Sequence, residues 1–169
     1  MATVQDNLLD WLRDAHAMEQ QAEQMLTGMA GRIQNYPELK ARIERHIGET
    51  QNDARLVQQC IDRRGSSTST MKNIAGKIMG MGQALSGLFV SDEIVKGALA
   101  GYSFEAMEIA SYQILIAAAE QAGDQETKQV CEGILQEEKA MASWLEEHLP
   151  EVTREFLRRS ADSSATAGR

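Results

Sequence analysis

The sequence predicts an all-α protein, a bundle of four long helices with two short connections and one long one. Apolar residues recur at alternating steps of three and four in four segments, which is the spacing of a packed helix face. Proline and glycine separate these segments where helix ends are expected. With 169 residues, 43% of them hydrophobic, the chain is long enough for one domain with a sizeable core.

An apolar seam, meaning the row of side chains that faces the core, and two helix-end residues define the first two helices. We expect helix 1 over residues 3–33, where Leu8 and Leu12 begin a regular apolar seam. Pro37 favours the start of helix 2, because a proline in the first helical turn loses no hydrogen bond. Gly65 marks the end of helix 2. The short connection between the two helices predicts antiparallel neighbours.

The last two helices are delimited in the same way. The residues Ser-Asp-Glu at 91–93 predict a cap and an acidic first turn for helix 3. Gly123 predicts its end, and Asp124 is expected to cap helix 4. Pro150 should break helix 4, because proline removes a helical hydrogen bond. We expect a short amphipathic C-terminal helix after this break.

Residues 65–90 form the long connection between helices 2 and 3. It carries apolar residues at helical spacing, namely Ile74, Ile78, Met81, Leu85 and Leu88. One long helical crossover in the middle of four helices is the ferritin-like topology. We interpret the segment as a lid on the bundle or a dimer surface. A membrane-active amphipathic helix is disfavoured, because the segment has only two basic residues. The prediction is a single ferritin-like helical domain over residues 3–158 and a disordered tail at residues 159–169.

Charge and cysteine content exclude several classes of function. Lys and Arg number 17 against 25 Asp and Glu, and the net charge of −8 repels phosphate backbones and anionic lipids. We therefore expect no nucleic-acid partner and no membrane partner. The chain has too few cysteines for a secreted disulfide framework and no recognisable signal peptide, so we expect a cytoplasmic location. Cys60 and Cys131 are interpreted as small core residues and not as a redox pair.

Acidic residues occupy seam positions that should be apolar. Glu19 lies in the seam of helix 1 between Ala15 and Ala22, and Glu105 and Glu108 lie in the seam of helix 3. An unpaired ionised carboxylate in a protein interior costs several kcal/mol. These acids therefore require compensation by hydrogen bonds or by bound cations.

Helices 2 and 4 add polar residues at the same depth. His46, Glu49 and Asp53 lie on one face of helix 2, and Glu138 fits the apolar face of helix 4 better than Glu137. Each of these positions is near the middle of its helix. Antiparallel packing should therefore bring acids from all four helices into one layer of the core.

Clustered carboxylates with an imidazole predict a pair of divalent metal ions, and oxygen-rich ligation favours iron or manganese. The predicted ligands are Glu19, His46, Glu49, Glu105, Glu108 and Glu138. The pattern resembles di-metal bundles in which two helices give one Glu each and two give Glu-x-x-His. It is incomplete, because Asn52 and Met141 stand where those histidines would be. Without metal, Tyr112 or His46 would hydrogen-bond the buried acids instead.

The remaining polar candidates are weaker. His16 and His148 lie off the seams and are expected at the surface or in a cap. The role of Asp53 in the site is left open, as is the choice between Glu137 and Glu138. No catalytic residue is assigned.

Five motifs occur in order along the chain: WLRDAHAMEQQAEQML, HIGETQND, SDEIVKG, FEAMEIASY and ILQEEKAMASWLEEHLP. They resemble the YciE branch of the YciE/YciF ferritin-like family. The resemblance implies a homodimeric bundle with an extra crossover helix, encoded among bacterial stress-response genes. The inward acids of the family fall on Glu19, on Glu49 with His46, on Glu105 and Glu108, and on Glu138. Ala106 departs from the histidine that follows the first helix 3 glutamate in YciF-type sequences.

Two classes of function follow from these observations. The first is a stress-response protein with a buried di-metal site, iron or manganese, that handles peroxide or oxygen. The second is a non-enzymatic helical module, a partner-binding or structural stress protein whose polar core holds no metal. An iron-storage cage is a less favoured third reading, because storage requires higher-order assembly.

Overall fold

The protein is described by a computed structural model over residues 1–65 and 92–162. Those residues form four α-helices and no strand: α1 Val4–Arg32, α2 Pro37–Asp62, α3 Glu93–Ala122 and α4 Gln125–Ser160. The all-α four-helix prediction is confirmed, and the first three helices begin and end within two residues of the expected positions. None of the described helices is both long and apolar enough to span a membrane.

Local signals fix most of the helix ends. The Thr3 hydroxyl accepts a hydrogen bond from the Asp6 N–H at 3.1 Å, while the Asp6 carboxylate accepts one from the Thr3 N–H at 2.8 Å. Gly123 has a φ of 71°, the left-handed conformation that ends α3. The Asp124 carboxylate then accepts from the Thr127 N–H at 3.0 Å and caps α4, as predicted.

The C-terminal segment differs from the prediction, because α4 continues through Pro150 to Ser160. Pro150 and Glu146, the residue whose carbonyl loses its hydrogen-bond donor, are both exposed, so water can solvate that carbonyl. Beyond the proline, Val152 is 7% exposed, and the half-buried Phe156 packs against the apolar cluster that contains Leu39 and Ile43. Burial of these side chains offsets the lost hydrogen bond, and the expected short helix is the last part of α4.

The expected tail also begins later than predicted, since Arg159 and Ser160 belong to α4. Residues 163–169 lie outside the described residues.

The helices pack as antiparallel neighbours. Arg32 at the end of α1 forms an ion pair with Glu93 at the start of α3. At the other end of the bundle, the Gln5 side-chain amide donates to the Ala122 carbonyl at 3.0 Å. α1 also packs on α2, and α4 packs on α3 and on α2.

The end of α2 and the start of α3 lie at opposite ends of the bundle. Arg64 hydrogen-bonds Gln5 at the start of α1, whereas Glu93 contacts Arg32 at the end of α1. Residues 65–92 therefore connect the two ends, which is the connectivity of a ferritin-like bundle. The predicted crossover itself, including its apolar stripe, lies outside the described residues.

The apolar core is divided into two clusters. The first surrounds Leu8, Leu12, Val57 and Leu115, at the end where α1 begins. The second surrounds Leu26, Met29, Ile43, Met141 and Leu145, at the end where α1 finishes. A polar layer separates them near the middle of the bundle.

Candidate metal centre

Six polar side chains from all four helices form this middle layer. None of them exposes more than 1% of its surface: Glu19 from α1, His46 and Asp53 from α2, Glu105 and Glu108 from α3, and Glu138 from α4. These residues occupy seam positions of their helices, and side chains at such positions face the core whether they are polar or apolar. Five carboxyl groups and one imidazole therefore share the interior with no solvent contact.

One group within the layer combines nitrogen and oxygen. His46 Nε2 lies 3.3 Å from a Glu105 oxygen and 3.4 Å from a Glu138 oxygen. One ligand atom from each of these three residues lies within 4.8 Å of the other two. We call this the nitrogen-containing group.

A second group contains only carboxylates. Ligand oxygens of Glu19, Asp53 and Glu138 also lie within 4.8 Å of one another. Glu138 belongs to both groups and therefore lies between them. We call this the all-oxygen group.

Glu108 is buried beside both groups. Neither of its side-chain oxygens has a hydrogen-bond partner among the described residues. Burial raises the pKa of its carboxyl well above the ordinary value, and the charges of Glu138, Glu19 and Glu105 raise it further. Glu108 is therefore close to residues of both groups.

Glu49 orients His46 from outside the layer. Its Oε2 accepts from His46 Nδ1 at 2.7 Å and from Arg42 at 3.1 Å, and its side chain is 27% exposed. The Nδ1 contact turns Nε2 toward Glu105 and Glu138. A carboxylate that holds the second nitrogen of a histidine is the usual outer partner of a metal-binding imidazole.

Tyr112 orients Glu19 in a similar way. Its hydroxyl donates to Glu19 Oε1, and the tyrosine side chain is completely buried. Glu19 Oε2 has no hydrogen-bond partner among the described residues. The tyrosine therefore satisfies one oxygen and leaves the other for the all-oxygen group.

In the absence of cations, ionisation of the buried carboxyl groups in the layer is unfavourable. Burial raises the pKa of Glu19 well above its ordinary value, with a further contribution from Glu138. Burial and the charges of Glu137 and Glu138 raise the pKa of Asp53 to about 8. Several of these acids therefore hold protons at neutral pH when no cation is bound.

His46 supplies the internal compensation. Burial alone would lower its pKa, but the close contacts of Nε2 with the Glu105 and Glu138 carboxylates, and their charges, raise the pKa to about 11. The imidazole is therefore a cation at neutral pH in the metal-free protein. In turn His46 opposes the rise that burial imposes on the pKa of Glu105.

The donor set fits divalent cations. Nine buried polar atoms of the layer have no hydrogen-bond partner within residues 1–65 and 92–162: Glu19 Oε2, His46 Nε2, both Asp53 oxygens, Glu105 Oε2, both Glu108 oxygens and both Glu138 oxygens. Two divalent ions would neutralise four of the five carboxylate charges. Oxygen donors with one imidazole suit iron or manganese better than a thiolate-preferring metal.

The structure brings together five of the six predicted ligands: Glu19, His46, Glu105, Glu108 and Glu138. Glu108 belongs to neither group but is buried beside both, whereas Glu49 is 27% exposed outside the layer, and Asp53 takes part in its place. Asp53 lies seven residues after His46, about 20° away around the helix, whereas Glu49 lies about 60° away. This helical periodicity could have identified Asp53 from the sequence as a residue on the same face as His46. Glu137 is half-buried outside both groups, so Glu138 is the inward residue of that pair.

The remaining candidates, His16, His148 and the two cysteines, differ in how well the structure agrees with the predictions. His16 was expected at the surface but is 7% exposed, because α1 packs on two neighbouring helices and buries a wider stripe than its seam. His148 is half-buried within α4, where its ring stacks on Trp144 with centroids 3.9 Å apart. Cys60 and Cys131 are free, buried core residues, as predicted.

The fold and the layer define a ferritin-like four-helix bundle with a carboxylate-rich centre. The chain belongs to the DUF892 family, described as a domain of unknown function, whose match covers residues 3–158. This confirms the family that the sequence motifs indicated, while assignment to its YciE branch stays a prediction.

Solved structures have the same fold. A protein from Xanthomonas campestris is 42% identical, with a TM-score of 0.81, and the match covers 95% of this chain and 99% of that one. The Escherichia coli stress protein YciF is 23% identical, with a TM-score of 0.76 and coverages of 88% and 96%. YcfI of Rhodopseudomonas palustris is 28% identical, with a TM-score of 0.71 and coverages of 86% and 94%. At 23% identity, the likeness to YciF shows the fold alone.

Proposed function

We propose that this chain is a di-metal carboxylate protein of the YciE branch that binds two divalent ions, iron or manganese, in its middle layer and handles peroxide or oxygen under stress. The observation that carries this proposal is the pair of buried groups that share Glu138. The description of YciF as a stress protein supports the stress context. Bound iron or manganese would supply the electron-transfer chemistry.

The residues of the chain have separable tasks in this function. The two groups, together with Glu108 beside them, hold the ions, while Glu49 and Tyr112 orient His46 and Glu19. The apolar clusters on both sides exclude water, which strengthens the attraction between carboxylates and cations. No side chain of the layer needs to act as a nucleophile.

Elemental analysis tests the proposal directly. Protein purified without added metal or chelator, and protein reconstituted with Fe(II) or Mn(II), should contain about two ions per chain. Glu108→Ala should lose most of this metal and stay helical by circular dichroism. Glu120→Gln, which removes an exposed acid from the same helix, is the matched control and should keep it.

Two results would contradict the site. The first is a parent protein that no reconstitution loads. The second is an unchanged metal content in both Glu108→Ala and Glu19→Ala.

A second candidate function is association without metal chemistry, and two observations favour it. The His46 imidazolium already compensates part of the acidic layer. In addition, the only charged residues of α3 between Gly97 and Ala119 are Glu105 and Glu108, which are buried. The α3 outer face consists of the exposed residues Leu99, Ser103, Ala106, Ala110, Gln113, Ile114 and Ala117. An uncharged face of this length on a chain of net charge −8 suits an interface, including that of the expected homodimer.

Native mass spectrometry separates this role from the first. If the α3 outer face is the subunit interface, Leu99→Glu with Ile114→Glu should convert the dimer to a monomer. Gln136→Glu, which adds a charge to an exposed position of α4, should leave the dimer intact. A parent protein that is monomeric at micromolar concentration would contradict the homodimer.

A further inference from the structure

The two halves of the middle layer differ in donor chemistry. The nitrogen-containing group offers one imidazole nitrogen from His46 and two carboxylates. The all-oxygen group offers carboxylates from three different helices, and no nitrogen ligand belongs to it. Both groups are equally buried, so the difference between them lies in the donor atoms and not in solvent access.

Donor type controls which divalent ion a site prefers. Imidazole nitrogen favours iron and the later transition metals, whereas carboxylate oxygen also suits manganese and magnesium. The advantage of a later metal over manganese should therefore be larger in the nitrogen-containing group. At the all-oxygen group, manganese and the later metal should bind with more similar affinities.

We propose that the two positions are not equivalent: the His46, Glu105 and Glu138 group selects a later divalent metal over manganese, and the Glu19, Asp53 and Glu138 group discriminates much less. When both kinds of ion are present, the layer takes up a mixed pair. This inference rests on the proposed di-metal function, because it assumes that both groups bind ions.

The outer partners give independent control of the two positions. Among the described residues, the layer side chain that Glu49 hydrogen-bonds is His46 of the nitrogen-containing group, through Nδ1 at 2.7 Å. The layer side chain that Tyr112 hydrogen-bonds is Glu19 of the all-oxygen group, through Oε1. Removal of such a partner typically weakens metal binding by about 10- to 100-fold. Glu49→Gln and Tyr112→Phe should therefore each weaken a different position.

Glu138 couples the two positions. It provides ligand atoms for both groups, and neither of its side-chain oxygens is hydrogen-bonded among the described residues. Glu138→Gln should therefore reduce binding at both positions. Glu132→Gln, an exposed acid on the same helix, is the matched control and should change neither.

Displacement of manganese by cobalt tests the inference. Metal-free protein is loaded with Mn(II) and titrated with Co(II), an air-stable substitute for Fe(II). Protein-bound Co(II) is followed by its visible absorption, and released Mn(II) by electron paramagnetic resonance. The parent should exchange one ion per chain first, and the second exchange should need at least about tenfold more cobalt.

The variants identify the positions. In His46→Gln the early exchange should disappear, while His148→Gln, which alters a histidine outside the layer, should keep both steps. If His46→Gln does not fold, Glu49→Gln should shift the early step to higher cobalt, and Tyr112→Phe should shift only the late one. Equal shifts of both steps in these two variants would overturn the assignment.

Failure of the inference differs from failure of the proposed function. Two Mn(II) ions per chain that exchange in a single step would overturn the inference and leave the di-metal site standing. A protein that binds neither Mn(II) nor Co(II) would overturn both.

Discussion

The middle layer and the apolar cluster around Leu8 and Leu115 are buried to the same extent, yet they contribute to the protein in opposite ways. The cluster removes apolar surface from water and stabilises the bundle. The layer buries five carboxyl groups, which costs stability unless protons, His46 or cations compensate them. α3 carries both kinds of surface on one seam, with Glu108 only two turns from Leu115. Burial alone therefore does not distinguish a residue that stabilises the fold from one that binds a ligand.

A cavity in the apolar cluster should produce the largest change in the free energy of unfolding. Leu115 is 1% exposed, so Leu115→Ala should lower the free energy of unfolding by about 3 kcal/mol. Urea denaturation measures this change, and Ile114→Ala, at a neighbouring position that is 53% exposed, is the control. Metal content per chain should not change in either variant. A loss of metal in folded Leu115→Ala would show that the two regions are not independent.

The pH dependence of stability should reveal the opposite character of the layer. Acids with raised pKa values, such as Asp53 at about 8, bind protons in the folded chain at pH values where the unfolded chain has lost them. His46, raised to about 11, acts in the same direction above about pH 6.5. Stability of the metal-free protein should therefore fall as pH rises from 5 to 8.

Bound metal should reverse this slope, because cations hold the carboxylates in their ionised form and proton binding then competes with metal. Thermal unfolding of chelator-treated and metal-loaded protein across this pH range measures both slopes. Parallel profiles for the two preparations would contradict metal ligation by the layer.

Replacement of a layer acid by an apolar side chain should separate stability from binding. Glu108→Leu removes a buried carboxyl group with no hydrogen-bond partner among the described residues, so metal-free protein at pH 8 should gain about 1–2 kcal/mol. The same variant should lose metal. Urea denaturation with elemental analysis measures both results, and a destabilised, metal-loaded variant would be the opposite outcome.

A surface cap should give the smallest effect and involve neither region. Thr3→Ala removes the side-chain oxygen that accepts from the Asp6 N–H, which should cost about 1 kcal/mol of stability. Metal content and the pH slope should stay those of the parent. Thr3→Ser keeps the hydroxyl and should restore the stability.

The sequence predicted the helices well because their signals are local. Pro37, Gly123 and Asp124 act through the backbone of their own turns, and each marks a helix end where it was expected. Pro150 is also a local signal, but the packing of Val152 and Phe156 in the apolar cluster around Leu39 and Ile43 outweighs it. His16 was misplaced for a related reason, since only the neighbouring helices decide how wide a stripe of α1 is buried.

By itself, the sequence determined the four helices, the family and the presence of acids in the seams, because these depend on spacing along the chain. The tertiary structure decided which acids meet. It turned Glu49 outward to hold His46, brought Asp53 inward to Glu19 and placed Glu138 between the two groups. Such choices depend on the rotation of each helix against its neighbours, since the inward Asp53 and the outward Glu49 are only about 40° apart on the surface of α2.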